Sequence, residues 1–285
     1  MGNHIIRSPG RIGGWQSIIV RQTWIRPGEN STSLDEPCAD VRMTAARKAG
    51  CTMASEIADN IARVQDRIAA ACRRAGRQPD EVRLIAISKT VSAERIREAY
   101  EAGLRDFGEN RVQEAAAKRP ALSDLTATWH LVGHLQSNKA TPARELFHWI
   151  HSIDSARLAE RLDKVTACSG DKLRVLIEVN LGGEESKSGV SESAVPALAE
   201  ALSAFGTLEV RGLMAVPPFF EDPAQVRPYL RRLRELAADI SKRNLPRVTM
   251  QELSMGMSHD FEVAIEEGAT MVRVGTAIFG ARHNP

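Results

Sequence analysis

The stretch Val82-Arg83-Leu84-Ile85-Ala86-Ile87-Ser88 is a short apolar run that ends immediately before Lys89. A run of this length, rich in branched residues, is typical of a strand that is buried on both faces of a parallel sheet. Seven further short apolar runs follow along the chain, and longer amphipathic stretches separate them. This alternation predicts parallel strands that are joined by right-handed helical crossovers.

The number of predicted elements suits a closed barrel. Strands are predicted at residues 82–88, 105–109, 128–133, 149–153, 174–180, 209–216, 248–254 and 271–275. Helices are predicted between them at residues 92–102, 111–118, 138–147, 155–168, 191–204, 223–243 and 259–267. Eight strands with intervening helices in about 200 residues favour a single-domain α/β fold, the (β/α)8 TIM barrel. No internal repeat supports closure, so an open doubly wound sheet is the alternative.

A further helix is predicted in front of the first strand. Ser55 and Glu56 stand at its start, apolar residues recur at steps of three and four up to Arg74, and Gly76 stands at its stop. This spacing is typical of an amphipathic helix that packs one face on a core. Residues 53–285 are therefore predicted to form the barrel domain, with this helix at its N-terminal end.

Residues 1–52 have a different composition. Arginine occurs four times before the first acidic residue, glycine and proline are frequent, and no helical or strand period is sustained. We expect a disordered extension, or a start codon assigned too early with Met53 as the true start. The low acidic content keeps an arginine-rich mitochondrial presequence as an alternative.

The composition of the chain limits the classes of function. A hydrophobic content of 43% is enough for a full core, and a net charge of +2 with 26% charged residues argues against a nucleic-acid or membrane-binding surface. No apolar run approaches the roughly 18 residues of a spanning helix. Four cysteines without C-x-x-C spacing argue against a zinc site or a disulfide framework, so we expect a cytoplasmic protein without a metal.

Lys89 is the first candidate functional residue. The chain contains 30 arginines and only 8 lysines, and this lysine follows a predicted strand at the mouth of the predicted barrel. A lysine that is partly desolvated in a pocket loses its proton readily and can form a Schiff base with an aldehyde. The alternative is a lysine that caps the strand end and extends into solvent.

The segments after the last two predicted strands suggest a phosphate site. Ser254, Gly256 and Ser258 follow the seventh strand, and Gly275 and Thr276 follow the eighth. Glycine-rich turns and helix N-termini bind phosphate through unpaired N–H groups, and these two loops form the usual phosphate site of such barrels. In the alternative interpretation the serine caps a helix and the glycines serve tight turns.

A lysine that traps an aldehyde and a phosphate site on the same rim together point to pyridoxal 5′-phosphate. Arg273 extends this interpretation, because residues 273 and 275 share a face of the last strand. An arginine there could reach the pyridine nitrogen, keep it unprotonated and make the ring a weaker electron sink. Alternatively, Arg273 pairs with a carboxylate inside the barrel.

Seven longer motifs carry a resemblance to a known family. They are ISKT at 87–90, FGENRVQE at 107–114, WHLVGHLQSNK at 129–139, SKSG at 186–189, RGLM at 211–214, LSMGMS at 253–258 and RVGTAIFG at 273–280. From about Ser55 to Arg282 the chain resembles the pyridoxal phosphate homeostasis protein family, single-domain barrels similar to the N-terminal domain of alanine racemase.

The resemblance implies a role for each of several residues. Lys89 would carry the cofactor as a Schiff base, and Arg273 would face the ring nitrogen. The resemblance implies that phosphate is held by Ser254, Gly275 and Thr276, and that the pocket is lined by Asn110 and Met214.

Two classes of function remain open. The first is a carrier that buffers pyridoxal phosphate or delivers it to apo-enzymes, as a monomer or weak dimer. The second is a racemase-like enzyme, which needs a second base on the far side of the cofactor. In alanine racemases a tyrosine from a further domain supplies that base, but the two tyrosines here, Tyr100 and Tyr229, fall in predicted helices. We therefore expect the carrier.

The remaining histidines are expected to be structural. His130 and His134 have a metal-like spacing, but they straddle a strand end, where residues four apart need not converge. His148 and His151 are expected to serve packing or solvent contact.

Overall fold

The computed structural model describes residues 55–183 and 188–281. They belong to the compact unit Thr52–Pro285. The predicted extension at residues 1–52 lies outside the described residues, and so do residues 184–187 and 282–285.

Eight parallel strands form a closed barrel. With one short extra strand, β6, the strands of the described residues are β1 (Arg83–Ile87), β2 (Asp106–Glu109), β3 (Thr128–Leu131), β4 (Trp149–Ile153), β5 (Leu173–Asn180), β6 (Val190–Ser191), β7 (Leu208–Ala215), β8 (Val248–Met257) and β9 (Met271–Val274). Their order is β4-β3-β2-β1-β9-β8-β7-β5, and pairing of β4 with β5 closes the ring. The short β6 pairs only with the C-terminal end of β5. The prediction of a closed barrel is confirmed, and the open sheet is wrong.

Helices surround the barrel. They are α1 (Glu56–Arg74), α2 (Ala93–Glu101), α3 (Val112–Lys118), α4 (Ala140–Leu146), α5 (Ala156–Ala167), α6 (Val195–Ser203), α7 (Arg227–Ser241), α8 (Phe261–Glu266) and α9 (Thr276–Phe279). Three predicted helices begin too early, because residues 137–139, 192–194 and 223–226 form 3-10 turns ahead of α4, α6 and α7. The shortest elements, β6 and α9, carry too few residues to show a period.

Strand β8 differs most from its prediction. It continues to Met257, so Ser254 and Gly256 lie within the strand and not in the loop that follows it. The pairing of β8 with β9 shifts register between Ser254 and Met257, and Gly256 has a φ of +89°. A register shift of this kind changes the strand locally, and the strand continues beyond it.

Helix α1 packs beside the elements that flank β9. The Ser55 hydroxyl accepts a hydrogen bond from the Ala58 N–H and caps the helix. The Asn60 amide donates to the Ile278 carbonyl of α9 at 2.9 Å, and Arg67 forms an ion pair with Glu262 of α8 at 2.8 Å. These contacts hold both helices around the last strand in place.

The barrel interior contains an apolar layer. Its buried members are Ile85, Ile87, Trp149, Leu176, Met214 and Met271. Among the residues 55–183 and 188–281, no helix has both the length and the apolar character that are needed to cross a membrane.

Candidate functional site

Lys89, Gly275 and Thr276 line one cavity at the C-terminal ends of β1 and β9. The two strands are neighbours, and Ala86 pairs with Val274. The cavity has a volume of about 230 Å³. A Cβ atom at position 275 would lie 3.3 Å from the Ile87 carbonyl oxygen, so glycine keeps this side of the cavity open.

A charged cluster anchors the backbone around Lys89. The Lys118 ammonium donates to the carbonyl of Ser88 at 2.7 Å and to the Glu114 carboxylate at 2.6 Å. Thr90, which has a φ of +62°, donates its N–H to the same carboxylate. The backbone on both sides of Lys89 is therefore held by hydrogen bonds, which restricts the position of the Lys89 Cα.

Glu109 is the buried carboxylate at the bottom of this cluster. Its Oε1 accepts hydrogen bonds from the Ser88 hydroxyl at 2.7 Å and from Lys118 at 3.0 Å. Burial raises the pKa of the Glu109 carboxyl, although both hydrogen bonds and the charge of Lys118 oppose this. Removing Lys118 would leave this carboxyl without its counter-charge.

Ser258 lies beside the predicted phosphate position. Its hydroxyl accepts a hydrogen bond from the Gly275 N–H at 3.2 Å. Helix α9 begins at the next residue, Thr276, and the first N–H groups of a helix have no acceptor within it. Ser258, Gly275 and Thr276 thus bring a hydroxyl and backbone donors to one edge of the cavity.

Ser254 and Gly256 do not lie at this edge. The Ser254 hydroxyl is fully buried in the barrel interior, where it accepts from Arg273 at 2.7 Å and meets His151 Nδ1 at 3.0 Å. A Cβ at position 256 would lie 2.5 Å from the Ala264 Cβ, so this glycine lets α8 approach β8. The prediction that both residues lie in a loop after the strand is wrong, because β8 continues through them.

Arg273 is buried between β8 and β9. Its Nη1 donates to the Ser254 carbonyl and hydroxyl, and its Nη2 donates to the Ala215 carbonyl at 2.9 Å. No carboxylate among the described residues lies within ion-pair distance, so none of these is the carboxylate partner of the alternative interpretation. Burial lowers the pKa of Arg273 to about 10, against the opposing charges of Asp260 and Glu178, and the guanidinium remains protonated at neutral pH.

Met214 and Asn110 lie away from the cavity that contains Lys89. Met214 is fully buried in the apolar layer of the barrel and pairs with Ser254 in the neighbouring strand. Asn110 lines a different cavity, of about 490 Å³, together with His134 and Lys139. Its carbonyl oxygen lies so close to Gly133 that any Cβ there would overlap it.

Three buried ionisable groups inside the barrel were not among the predicted site residues. His130 and His151 are fully buried and bonded to each other, whereas His151 was expected to serve packing or solvent contact. Glu178 is 8% exposed, and burial followed by repulsion from Asp154 raises its pKa to about 7. Each occupies a regular strand position, so the local sequence does not distinguish it from an ordinary strand residue.

The structure gives no sign of a metal site in the ranges it describes. No three His, Cys, Asp or Glu side chains there are placed to hold an ion. His130 bonds to Asp106 and His151, whereas His134 is half-exposed and lies 3.3 Å from Asp154. The described cysteines, Cys72 and Cys168, are both free.

The residues at the mouth fit pyridoxal phosphate. Lys89, Gly275 and Thr276 line the same cavity, as an aldehyde and a phosphate on one ligand require. A guanidinium has five N–H donors, and three are used by Arg273, so two remain on this buried side chain among the described residues. A ring nitrogen is an acceptor that suits them.

Comparison with known proteins identifies the class to which this barrel belongs. The family model for the N-terminal domain of alanine racemase matches residues 57–283. The barrel with a lysine after its first strand is therefore a member of that structural class.

Closer relatives define the family. A pyridoxal phosphate homeostasis protein of Pseudomonas aeruginosa is 48% identical over 228 residues, which are 80% of this chain and 96% of the relative. The protein of the same name from Escherichia coli K12 is 43% identical over 234 residues, which are 80% of this chain and 97% of the relative. PipY of Synechococcus elongatus, solved with PLP bound, is 42% identical with a TM-score of 0.70, covering 79% of this chain and 100% of PipY. This chain belongs to the pyridoxal phosphate homeostasis protein family.

Proposed function

We propose that this protein binds pyridoxal 5′-phosphate at the C-terminal mouth of its barrel, covalently through Lys89. The observation that carries the proposal is the single cavity lined by Lys89, Gly275 and Thr276 at the ends of two neighbouring strands. PipY, a relative of nearly the same barrel length, has been solved with this cofactor.

The individual roles follow from the chemistry of each group. The Thr276 N–H and the Ser258 hydroxyl hold the phosphate, because unpaired donors at a helix start attract an anion, and Gly275, whose N–H is bonded to Ser258, leaves room for it to approach. Arg273 directs its remaining N–H donors to the ring nitrogen. Met214, which pairs with Ser254 in the neighbouring strand, and Asn110, in the neighbouring cavity, line the cofactor pocket.

We further infer that the protein buffers or delivers the cofactor and does not use it for rapid catalysis. Bound pyridoxal phosphate supplies an aldehyde and an electron-withdrawing ring. Arg273 is a protonated donor, so the ring nitrogen stays an acceptor and the ring withdraws electrons weakly. Neither tyrosine lines the cavity of Lys89, so neither is placed there as a second base for proton transfer. The recipients are apo-enzymes that need the cofactor in the cytoplasm, and the protein acts as a monomer or weak dimer.

The attachment is tested by reduction with borohydride in the presence of pyridoxal phosphate, followed by mass spectrometry of the peptides. The cofactor mass should appear on the peptide that contains Lys89 and should disappear in Lys89→Arg. Lys139→Arg is the matched control and should keep the label. A label on Lys139 or Lys187 contradicts the assignment.

The carrier role is tested by incubating the loaded protein with L-alanine or L-serine in deuterium oxide. Negligible racemisation and at most slow α-proton exchange are expected, while free pyridoxal phosphate still loads the cofactor-free protein. Turnover at an ordinary enzymatic rate of about 1 per second or more would establish the racemase-like alternative instead.

A further inference from the structure

A continuous chain of polar groups crosses the barrel interior and ends at Arg273. It comprises Asp106 Oδ1 to His130 Nε2 at 2.9 Å, His130 Nδ1 to His151 Nε2 at 3.0 Å, His151 Nδ1 to Ser254 Oγ at 3.0 Å, and Ser254 Oγ to Arg273 Nη1 at 2.7 Å. The five residues come from five different strands of the barrel. We call this chain the barrel relay.

The barrel relay is buried along almost its whole length. His130, His151 and Ser254 are fully buried, and Asp106, the first residue of β2, is 21% exposed in its side chain. Polar groups buried without partners are costly, whereas a fully bonded network is rigid and its hydrogen bonds strengthen one another. Every ring nitrogen of the two histidines and the hydroxyl of the serine have a partner in the relay.

For a carboxylate at Asp106 and two neutral rings, the donors of the relay have only one consistent direction. Arg273 has no acceptor, so it donates to Ser254, and the single serine proton is then available for His151 Nδ1. His151 therefore carries its proton on Nε2 and donates to His130 Nδ1. His130 in turn carries its proton on Nε2 and donates to the Asp106 carboxylate.

The opposite direction requires one more proton in the relay. It would enter at Asp106 or His130, and His151 would then donate to Ser254. Burial lowers the pKa of His130, against the hydrogen bond and charge of Asp106, and it lowers the pKa of His151 well below its usual value, with the neighbouring His130, Arg273 and Arg83 adding to the effect. Both shifts favour neutral rings at pH 7, and with neutral rings the direction in which the Asp106 carboxylate accepts from His130 Nε2 needs no additional proton.

We propose that Asp106, His130, His151 and Ser254 are positioning residues that orient the Arg273 guanidinium toward the ring nitrogen of pyridoxal phosphate. The Ser254 hydroxyl donates a hydrogen bond to His151, and this makes the Ser254 oxygen a better acceptor for Arg273. Two Nη1 donors and one Nη2 donor are thereby held inside the barrel, and the other two are set by the rigid plane of the guanidinium. For its ligand this inference rests on the proposed function; the relay itself does not.

The first experiment reads the direction of the relay without cofactor. Long-range proton–nitrogen NMR spectra of the cofactor-free protein distinguish the two neutral histidine tautomers, with assignments from single substitutions. His130 and His151 should both be neutral and protonated on Nε2 at pH 7. Asp106→Ala should remove this preference at His130, whereas Asp106→Asn should keep it because the amide oxygen still accepts.

The second experiment reads the effect at the cofactor. Ser254→Ala removes one bond from Arg273, so its dissociation constant for pyridoxal phosphate should rise about tenfold, which is about 1.4 kcal/mol, with a shifted absorption spectrum of the bound cofactor. Ser152→Ala is the matched control, because its hydroxyl is equally buried on the same strand as His151 but donates to the Gly133 carbonyl. The control should leave the tautomers, the affinity and the spectrum unchanged.

The outcomes separate the inference from the proposed function. Protonation of His151 on Nδ1, or a charged ring at pH 7, would overturn the relay whether or not the cofactor binds. Unchanged affinity and spectrum in Ser254→Ala would overturn the positioning role while the proposed function stands. If the unaltered protein fails to bind pyridoxal phosphate, the proposed function and the positioning role fall together, even with the expected tautomers.

Discussion

Replacing Glu178 by glutamine should make the stability of the barrel less dependent on pH. This carboxyl lies on β5 inside the barrel, and its Oε2 has no hydrogen-bond partner among the described residues. Burial is the main cause that raises its pKa, and the nearby charge of Asp154 adds to it, whereas Arg273 opposes both. Glutamine resembles the protonated form and cannot ionise.

The magnitude follows from the two pKa values. Glu178 ionises near 4.5 in the unfolded chain and near 7 in the folded protein. A difference of about 2.5 corresponds to about 3 kcal/mol, because each pKa unit represents about 1.4 kcal/mol. A raised carboxyl pKa costs nothing below pH 4.5, and the cost grows between pH 4.5 and 7 and is complete above 7. The advantage of Glu178→Gln should therefore grow from about 1 kcal/mol at pH 5 to about 3 kcal/mol at pH 8.

The assay is urea unfolding of the cofactor-free protein at pH 5, 6, 7 and 8, with the free energy of unfolding extrapolated to water. The change with pH is the readout, because the buried amide adds an offset that is the same at every pH. Asp154→Asn removes the second cause of the raised pKa and should reduce the pH dependence in part. A difference between Glu178→Gln and the unaltered protein that stays constant from pH 5 to 8 would refute the reasoning.

Three further experiments test the packing and the role of the N-terminal segment. Gly212→Ala should lower the free energy of unfolding by several kcal/mol, because a Cβ there would overlap a backbone carbonyl of β8. The control Gly206→Ala, where a Cβ would meet open space, should change the free energy of unfolding by about 0.5 kcal/mol or less. Equal values for the two variants in urea unfolding would contradict this prediction. Lys118→Met should cost about 3–5 kcal/mol by leaving Glu109 without its counter-charge, and adding Glu109→Gln should restore most of that loss in the same assay. A chain that begins at Met53 should bind pyridoxal phosphate and melt at the same temperature as the full chain, and a large drop in melting temperature would contradict this.

The strands and helices of the barrel were accessible from the sequence. Parallel strands buried on both faces need continuous apolar runs, and the helices that cover them need one apolar face, so both leave a period that can be counted. The N-terminal helix was predicted with the bounds Glu56–Arg74 that the structure has, because its apolar spacing and both of its ends are marked. Bounds failed where a 3-10 turn begins a helix or where β8 continues through a bulge.

The candidate site was accessible only in part. Lys89, Gly275 and Thr276 meet in one cavity, as expected from strand ends that share one rim. Ser254 was placed in a phosphate loop, because nothing in LSMGMS marks where β8 stops. The irregular backbone at Gly256 decides this, and it depends on the contact of that glycine with α8.

The sequence by itself determined the number of barrel strands, their direction and, except for β8, which residues stand near their ends, since these depend on local periods and on chain order. Only the tertiary structure decided which side chains meet across the barrel. His130, His151 and Ser254 are separated by up to 124 residues in the chain, yet hydrogen bonds join them. Such contacts depend on how the closed ring of strands is staggered and on the side chains that fill its interior, and no local pattern encodes either quantity.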